Sequence, residues 1–427
     1  MNSNNMTTND TIETAVGRLE GWLATMGGLD GYYGPVVGLR GVSMAWCGIG
    51  HDWRWEGLLE GWTALHRRTQ DPLYLGRMDA ALRALQSAQL ANGAFCNSYF
   101  ENNPFEGGMP YEPALMAAVV RTLQYMKEIA HPWPAGTDEM VERFVEERLI
   151  KELWNKVLKT FNNWLQSDFE RYSPPAVAAI VETLYGYAKL TDSSERLTPY
   201  IQGAANSLLA CQFRDGPLAG ALPLSNQKGS EVSPCMAARS LPAFALVQQQ
   251  TGDPRFAAAG DALARFVSNS LLPEGGISYM AFASRPLRKD PLFVGATADT
   301  LRSLERAGRH DEALLRTQLT WILGHQTASG AFDTAVGFDD GRGARSQPDW
   351  RDVIPVCGWA DKVYGLLAGL VETPVSTISS GSVNRVVRVR GEEAVFMEDN
   401  DSMTLRSKKT EWFVWRKRTI VPTACRL

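Results

Sequence analysis

Short and long connections alternate between the helical segments of this chain, and that alternation limits its fold more than any single motif does. Apolar residues recur at helical spacing over about Asp10–Met26 and Trp53–Arg68, then in a segment carrying Leu75, Met78, Leu82, Leu85 and Gln89. The pattern continues over Glu112–Ala130, Thr137–Gln166, Pro174–Leu190, Glu195–Gln212, Pro234–Gln250, Arg255–Leu272, Phe293–Ala307, Glu312–Thr327 and Gly358–Val371. Tight turns such as Thr69-Gln70-Asp71-Pro72 and Thr251-Gly252-Asp253-Pro254 join these segments in pairs. Long loops fall between pairs, at 27–52, 91–111, 213–232, 273–292 and 328–357; only the connection near Asp168–Ser173 is short. In antiparallel neighbours alternate connections lie at opposite ends, so the long loops emerge on one face. The first and last helices lack sequence partners, and pairing them with each other closes a ring of six hairpins. The expected fold is all-α, an (α/α)6 toroid over 10–371, with an open solenoid of helix pairs as the alternative.

Beyond Pro374 the pattern changes to a Ser/Thr/Gly linker and then to strand-like alternation over Val383–Arg390, Glu393–Glu398, Met403–Ser407 and Glu411–Arg418. A small antiparallel β appendage over 383–420 follows, and one such sheet needs the helical ring to pack on. The net charge of −4 is spread along the 427 residues, so no basic face calls for nucleic acid. No apolar run reaches the ~18–20 residues of a membrane span. The polar start, Met1 to Asp10, does not read as a secretory signal. Six scattered Cys without a Cys-x-x-Cys pair fit reduced thiols, hence a cytoplasmic location. Thirteen Trp are many for this length, so some should line a pocket.

Two segments share Gln-x-x-x-Gly-x-Phe at the end of an outer helix: Gln89 to Phe95 and Gln326 to Phe332, with a looser copy through Gln212 and Gly216. A Gln amide ties the helix end to loop backbone, Gly takes the left-handed position, and the aromatic ring folds onto the outer wall. This repeat resembles that of terpenoid-cyclase and protein-prenyltransferase toroids, and is similar to turns in six-hairpin glycosidases and related sugar epimerases and lyases. The resemblance implies a toroid over about 10–371 and an enzyme of one of these kinds. The cyclase acid does not carry over: Asp-x-Asp-Asp is missing, Phe338-Asp339-Asp340 is a fragment, and Glu398-Asp399-Asn400-Asp401 reads as a hairpin turn. The prenyltransferase zinc set, an Asp-x-Cys pair with a later His, is absent as well.

Three loop sectors concentrate the chemistry. Trp46–Glu56 holds Trp46, Cys47, His51, Asp52, Trp53, Arg54, Trp55 and Glu56 at the start of the second helix, where amides and the dipole favour anions. Asp52 is equally a helix cap. Cys47 and His51 lack further ligands at metal spacing, so neither metal nor cofactor is expected. The second loop and the helix start after it bring Tyr99, Glu101, Phe105, Glu106, Tyr111 and Glu112, aromatic faces and acids that suit sugar rings. The fifth loop brings Asp339, Asp340 and Asp352, with Trp359 and Asp361 at the last helix, beside the first sector once the ring closes. Arg285, Arg288 and Lys289 in the fourth loop read as a solvated basic loop or as a grip on an acidic substrate. The leading expectation is an enzyme acting on an oligosaccharide or acidic sugar by acid/base chemistry in a central cavity. Its expected catalytic groups are His51, Asp52, Glu112, Asp352 and Asp361. The alternatives are a terpenoid-cyclase-like or isomerase enzyme with an aromatic cavity, and a non-catalytic toroid binding a peptide or partner protein. Oligomeric state has no sequence signal.

Overall fold

The structure, a computed structural model, describes residues 8–27, 32–37, 44–48, 51, 53–95, 112–162, 171–227, 229, 231–339 and 347–417. In chain order the helices are α1 (Thr8–Met26), α2 (Glu56–Thr69), α3 (Pro72–Ala88), α4 (Glu112–Glu128), α5 (Thr137–Arg143), α6 (Pro174–Thr191) and α7 (Ser194–Cys211). They continue as α8 (Pro234–Ala238), α9 (Leu241–Thr251), α10 (Pro254–Ser268), α11 (Val294–Arg306), α12 (Glu312–Leu323), α13 (Trp350–Val353) and α14 (Cys357–Leu370). Helices α2, α4, α6, α8–α9, α11 and α14 form an inner ring in that order, and α14 packs against α2 to close it. Helices α1, α3, α5, α7, α10 and α12 lie outside. The ring is an (α/α)6 toroid, and the open solenoid is excluded.

The inner helices are buried along most of their length because they are covered on both sides, and α6 is apolar nearly all round. In α6, for instance, Ala176 to Val181 are all buried. The tight turns work by two adjacent residues. Gln70 takes the left-handed conformation (φ 57°) that ends α2, and Asp71 caps α3 by accepting from the Leu73 N–H at 2.9 Å.

The Gln-x-x-x-Gly repeat staples the outer helices to one another. The Gln89 amide donates to Gly93 O at 3.1 Å and to Met140 O of α5 at 2.9 Å. Gln326 donates to Gly330 O at 3.0 Å and to Ala15 O of α1 at 2.8 Å, which closes the outer ring. Gln212 does the same with Gly220 O at 2.9 Å and Ala259 O of α10 at 2.8 Å. In this third copy Gly220, not Gly216, holds the equivalent place, because four extra residues enter the turn.

Two helices depart from their periodicity. The stretch expected as one helix, Pro234–Gln250, breaks between α8 and α9, since Pro242 has no N–H for the Ala238 carbonyl and its ring crowds that turn. The long helix expected over Thr137–Gln166 turns into a π-helix over Phe144–Leu153 and stops there. A hairpin follows, with strands β3 (Trp154–Asn155) and β4 (Thr160–Phe161); Asn155 Oδ1 accepts from the Val157 and Leu158 N–H groups, a local turn that competes with helix. The connection before α6 is therefore long too, and the one exception to the loop rule disappears.

Short strand pairs clip successive loops together. β5 (Glu231–Val232) pairs with β6 (Ala281–Phe282), joining the third loop to the fourth, and β7 (Leu292–Phe293) pairs with β8 (Ala335–Val336), joining the fourth to the fifth. A further pair, β1 (Tyr33–Val37) with β2 (Met44–Gly48), lies inside the first loop. The C-terminal sheet has the order β12–β11–β10–β9, with β9 at Val383–Val389, β10 at Glu392–Glu398, β11 at Ser402–Arg406 and β12 at Glu411–Arg416. It is fixed to the ring by Glu398, which is buried and accepts from Trp22 Nε1 of α1 at 2.7 Å, Ser329 Oγ at 3.0 Å and Lys417 Nζ at 2.8 Å. Glu398 thus ends a strand, and the hairpin turn read from Glu398–Asp401 begins after it.

Gly93 has φ 86°, and a Cβ there would stand 2.6 Å from the Arg143 carbonyl oxygen. Gly252 is also left-handed (φ 67°) but faces open space. Gly252→Ala is expected to cost about 1 kcal/mol, and Gly93→Ala about 1–3 kcal/mol beyond it, as read by thermal unfolding of the two variants side by side.

Candidate functional site

The axis of the toroid is filled by charge. Glu56 and Glu60 of α2, Glu182 of α6, Asp299 of α11 and Asp361 of α14 face Arg121 of α4, Arg239 between α8 and α9, Arg302 and Arg306 of α11, and Lys362 of α14. Arg239 binds Glu56 at 2.6 Å and Asp299 at 2.5 Å. Lys362 lies 3.2 Å from Glu56 and 3.1 Å from Asp361. Arg121 reaches Glu182 at 2.9 Å and also pairs with Glu60; Arg302 pairs with Glu60 and Arg306 with Glu182. The space left among these groups is about 10 Å³, room for a water at most. A central cavity was expected; the helix faces that would line it carry this ion-pair layer instead.

Two residues expected at the site belong to that layer. Burial alone would raise the Glu56 carboxyl, but Arg239, Lys362, Arg302 and Arg121 hold it well below the usual range, so it stays ionised and committed. Asp361 is fully buried and accepts from the Gly57 N–H at 2.9 Å. Burial pushes it up to about 7 against the pull of Lys362. It ties α14 to α2 where no open space reaches it.

The open volume lies on the loop face, in a cleft of about 880 Å³ walled by the third, fourth and fifth loops and the C-terminal sheet. The β5–β6 and β7–β8 clips hold its walls in register. Asp352, in the first turn of α13, faces it. This carboxyl is mostly buried and accepts from the Phe338 N–H at 3.1 Å. Burial pushes it up to about 7, against the Phe338 amide and with the help of nearby Asp349. Asp349 is committed to Arg351 through two contacts, at 2.8 and 3.1 Å. Asp352 is therefore a carboxylic acid that can carry a proton near neutrality while facing open space.

Charges of both signs share the cleft, the other acids being Glu231, Asp290, Asp339 and Asp349. Arg285, Arg288 and Lys289 of the fourth loop line the same cleft with Arg351 and with Arg388 of β9. Arg388 is buried, donates its N–H to Pro348 O at 2.9 Å and lies 3.7 Å from Asp339. Aromatic rings carry the wall back to the ion-pair layer. Phe338 meets Phe293 edge-on at 5.6 Å, Phe293 stacks on Trp359 at 5.1 Å, and Trp359 meets Trp53 at 5.0 Å. Lys362 then sits 4.8 Å over Trp53. The first and fifth sectors thus meet, as ring closure requires.

The remaining expected residues fall elsewhere. Glu112 is buried, accepts from the Phe95 N–H at 2.8 Å and lies 3.5 Å from Arg148, which secures the start of α4. His51 stacks between Trp55 and Phe95, at 6.2 and 6.4 Å. Trp55 is buried in the wall, and Arg54 packs on Gly358. Neither Glu112, His51, Trp55 nor Arg54 lines the cleft. Trp46 falls in β2. Asp52, Tyr99, Glu101, Glu106, Tyr111 and Asp340 lie outside the described residues. Sequence reasoning missed Arg388 and the partners of Glu56. The lone charges on apolar α4 (Arg121) and α6 (Glu182) were the available signal. Among the described residues no group of three or more His, Cys, Asp or Glu is placed to hold a metal ion, and no helix is long and apolar enough to cross a membrane.

No family model and no curated protein matches the chain. Solved structures do, several (α/α)6 toroids among them. A D-mannose isomerase superposes with a TM-score of 0.58 at 9% identity, covering 86% of this chain and 99% of that one. The cellobiose 2-epimerase of Bacillus thermoamylovorans gives 0.57 at 13% identity, covering 84% and 99%. An unsaturated glucuronyl hydrolase from a Bacillus species, described as responsible for glycosaminoglycan degradation, gives 0.55 at 15% identity, covering 86% and 97%. At these identities the likeness establishes the (α/α)6 toroid fold.

Arg239→Met would leave Glu56 and Asp299 buried without their shared cation, an expected loss of about 3–5 kcal/mol. Arg67→Ala, which breaks an exposed pair with Glu128, should cost less than about 1 kcal/mol. Denaturant unfolding of both checks the contrast. Asp352 gives a pH signature. Its folded value of about 7 exceeds the ordinary ~3.9, so between these values the folded state keeps a proton that the unfolded chain releases. Stability from this group is present at low pH and falls as pH rises from about 4 to 7, by at most about 1.4 kcal/mol per pH unit. Relative to wild type, Asp352→Asn should therefore gain stability across that window and stay level above it, in melts run at each pH.

Proposed function

We propose that this chain is an enzyme acting on a carbohydrate, specifically an acidic saccharide, by general acid catalysis in the loop-face cleft. The observation that carries the reading is Asp352: a carboxyl raised to about 7, facing open space in a cleft that Arg285, Arg288, Lys289, Arg351 and Arg388 also line. A group poised near the working pH is suited to proton transfer. Asp352 donates its proton to the glycosidic or ring oxygen whose bond is changing. Arg288, Lys289 and Arg388 take the carboxylate of the sugar, and Tyr279 and Phe338 offer faces for its C–H surfaces. Asp290 and Asp339 in the same cleft provide acceptors for hydroxyls. The toroid neighbours whose names give a reaction act on sugars, which agrees with this reading. A cyclase reading would need an aromatic cavity on the axis, and the axis carries ion pairs.

The test is a panel of acidic and neutral disaccharides and oligosaccharides, with products identified by mass and reducing-end analysis. Turnover of acidic members is expected. Asp352→Asn should lower kcat by about 10²–10⁴ with little change in KM, while Arg288→Ala should raise KM for acidic substrates. Turnover of none of the panel, or full activity in Asp352→Asn, would overturn the assignment.

A further inference from the structure

A second cleft, also about 880 Å³, lies against the first on the outer wall, between the third loop, α10 and the fourth loop. Phe282 and Arg285 line both. The Arg285 guanidinium sits 3.6 Å over the Phe282 ring, which places a fixed cation on the wall between them. Arg214 and Arg265 add two more guanidiniums, and among the described residues no Asp or Glu lines this cleft.

Several arginines elsewhere on the chain are held by carboxylates. Arg196 meets Glu146 at 2.6 Å, Arg255 meets Asp253 at 2.7 Å and Arg309 meets Asp261 at 2.9 Å. Among the described residues Arg214, Arg265 and Arg285 have no carboxylate within ion-pair distance. Arg265 stands in the last turn of α10, where a cation also offsets the terminal carbonyls; Arg214 and Arg285 have no such task. Half-buried Phe213 offers an aromatic face, and Asn269 a polar group, in the same space.

We propose that this second cleft binds the outer part of a long acidic saccharide whose reacting end lies beside Asp352, the chain crossing at Arg285. The inference rests on the proposed function and adds to it: the substrate is a polymer or long oligomer bearing repeated carboxylates. Among the described residues these three cations have no acid beside them and so select negative charge, and Phe282 and Arg285, which line both clefts, mark where a chain would cross. The Phe213 ring suits the C–H face of a sugar over other polyanions.

The test uses the full chain carrying Asp352→Asn, so that binding is read without turnover. Calorimetry is run with oligogalacturonates and hyaluronan oligomers of two and eight sugars, with neutral maltooctaose and polyglutamate as controls. The longer acidic oligomer of at least one series is expected to bind about tenfold tighter than its dimer. Adding Arg214→Glu and Arg265→Glu should remove that gain and leave dimer affinity unchanged, with a thermal melt confirming that the variant folds. Dimer binding without a gain from length, or a gain that survives charge reversal, overturns this inference alone. Equal binding of polyglutamate overturns the saccharide assignment of the second cleft. Failure of both lengths to bind overturns it together with the proposed function.

Discussion

Everything in this molecule is arranged around the ion-pair layer on the axis. All six inner segments contribute to it, and the five carboxylates and five cations balance. Such a layer gains little over a well-packed apolar one, because desolvation offsets most of the attraction. Its effect is on register. An inner helix of nearly uniform apolar surface has no strong preference for its height along the axis, and a single guanidinium that must meet two carboxylates supplies one. Arg239 shows the constraint most directly. It lies at the break that Pro242 imposes between α8 and α9, and from there it reaches Glu56 across the ring and Asp299 beside it.

A filled axis also decides where chemistry can occur. With the centre closed, the cleft that holds Asp352 lies where the loops rise above the inner helix starts. The loops there are clipped together through β5–β6 and β7–β8, and Arg388 is brought in by the sheet. Loops set on a rigid base are where binding groups are usually found. Here the base is stiffened twice, by ion pairs inside and by the Gln staples outside.

The architecture was legible because helical periodicity and turn residues act locally. Ring closure followed from counting loops, and the sheet from alternation after Pro374. What failed was also local in cause: Asn155 forms its own turn and ends a segment whose composition reads as helix, and Pro242 breaks a helix whose apolar pattern runs on. The site was harder to read. Density of reactive groups singled out His51–Glu56, but it carries no information on direction, and Glu56 points inward to four cations. Asp352 was within reach because the loop rule puts it on the functional face. Arg388 was not. Strand alternation between Val387 and Val389 places it on the other face of β9, and only docking of the sheet against Pro348 turns that face into the cleft wall.

The cleft sets two effects on Asp352 against each other. Burial and the nearby Asp349 charge favour the acid, while the Phe338, Asp349 and Gly337 N–H groups favour the ionised carboxylate, and the acid prevails. An empty cleft therefore holds an acid close to balance. A saccharide carboxylate seated in the same cleft would add a negative charge to that of Asp349 and, by displacing water, deepen the burial of Asp352. Both changes move the carboxyl upward. On the proposed reading, an acidic substrate thus secures the proton its own reaction needs, whereas a neutral sugar of the same shape displaces water but adds no charge. Selection for charge then arises in the chemical step as well as in binding.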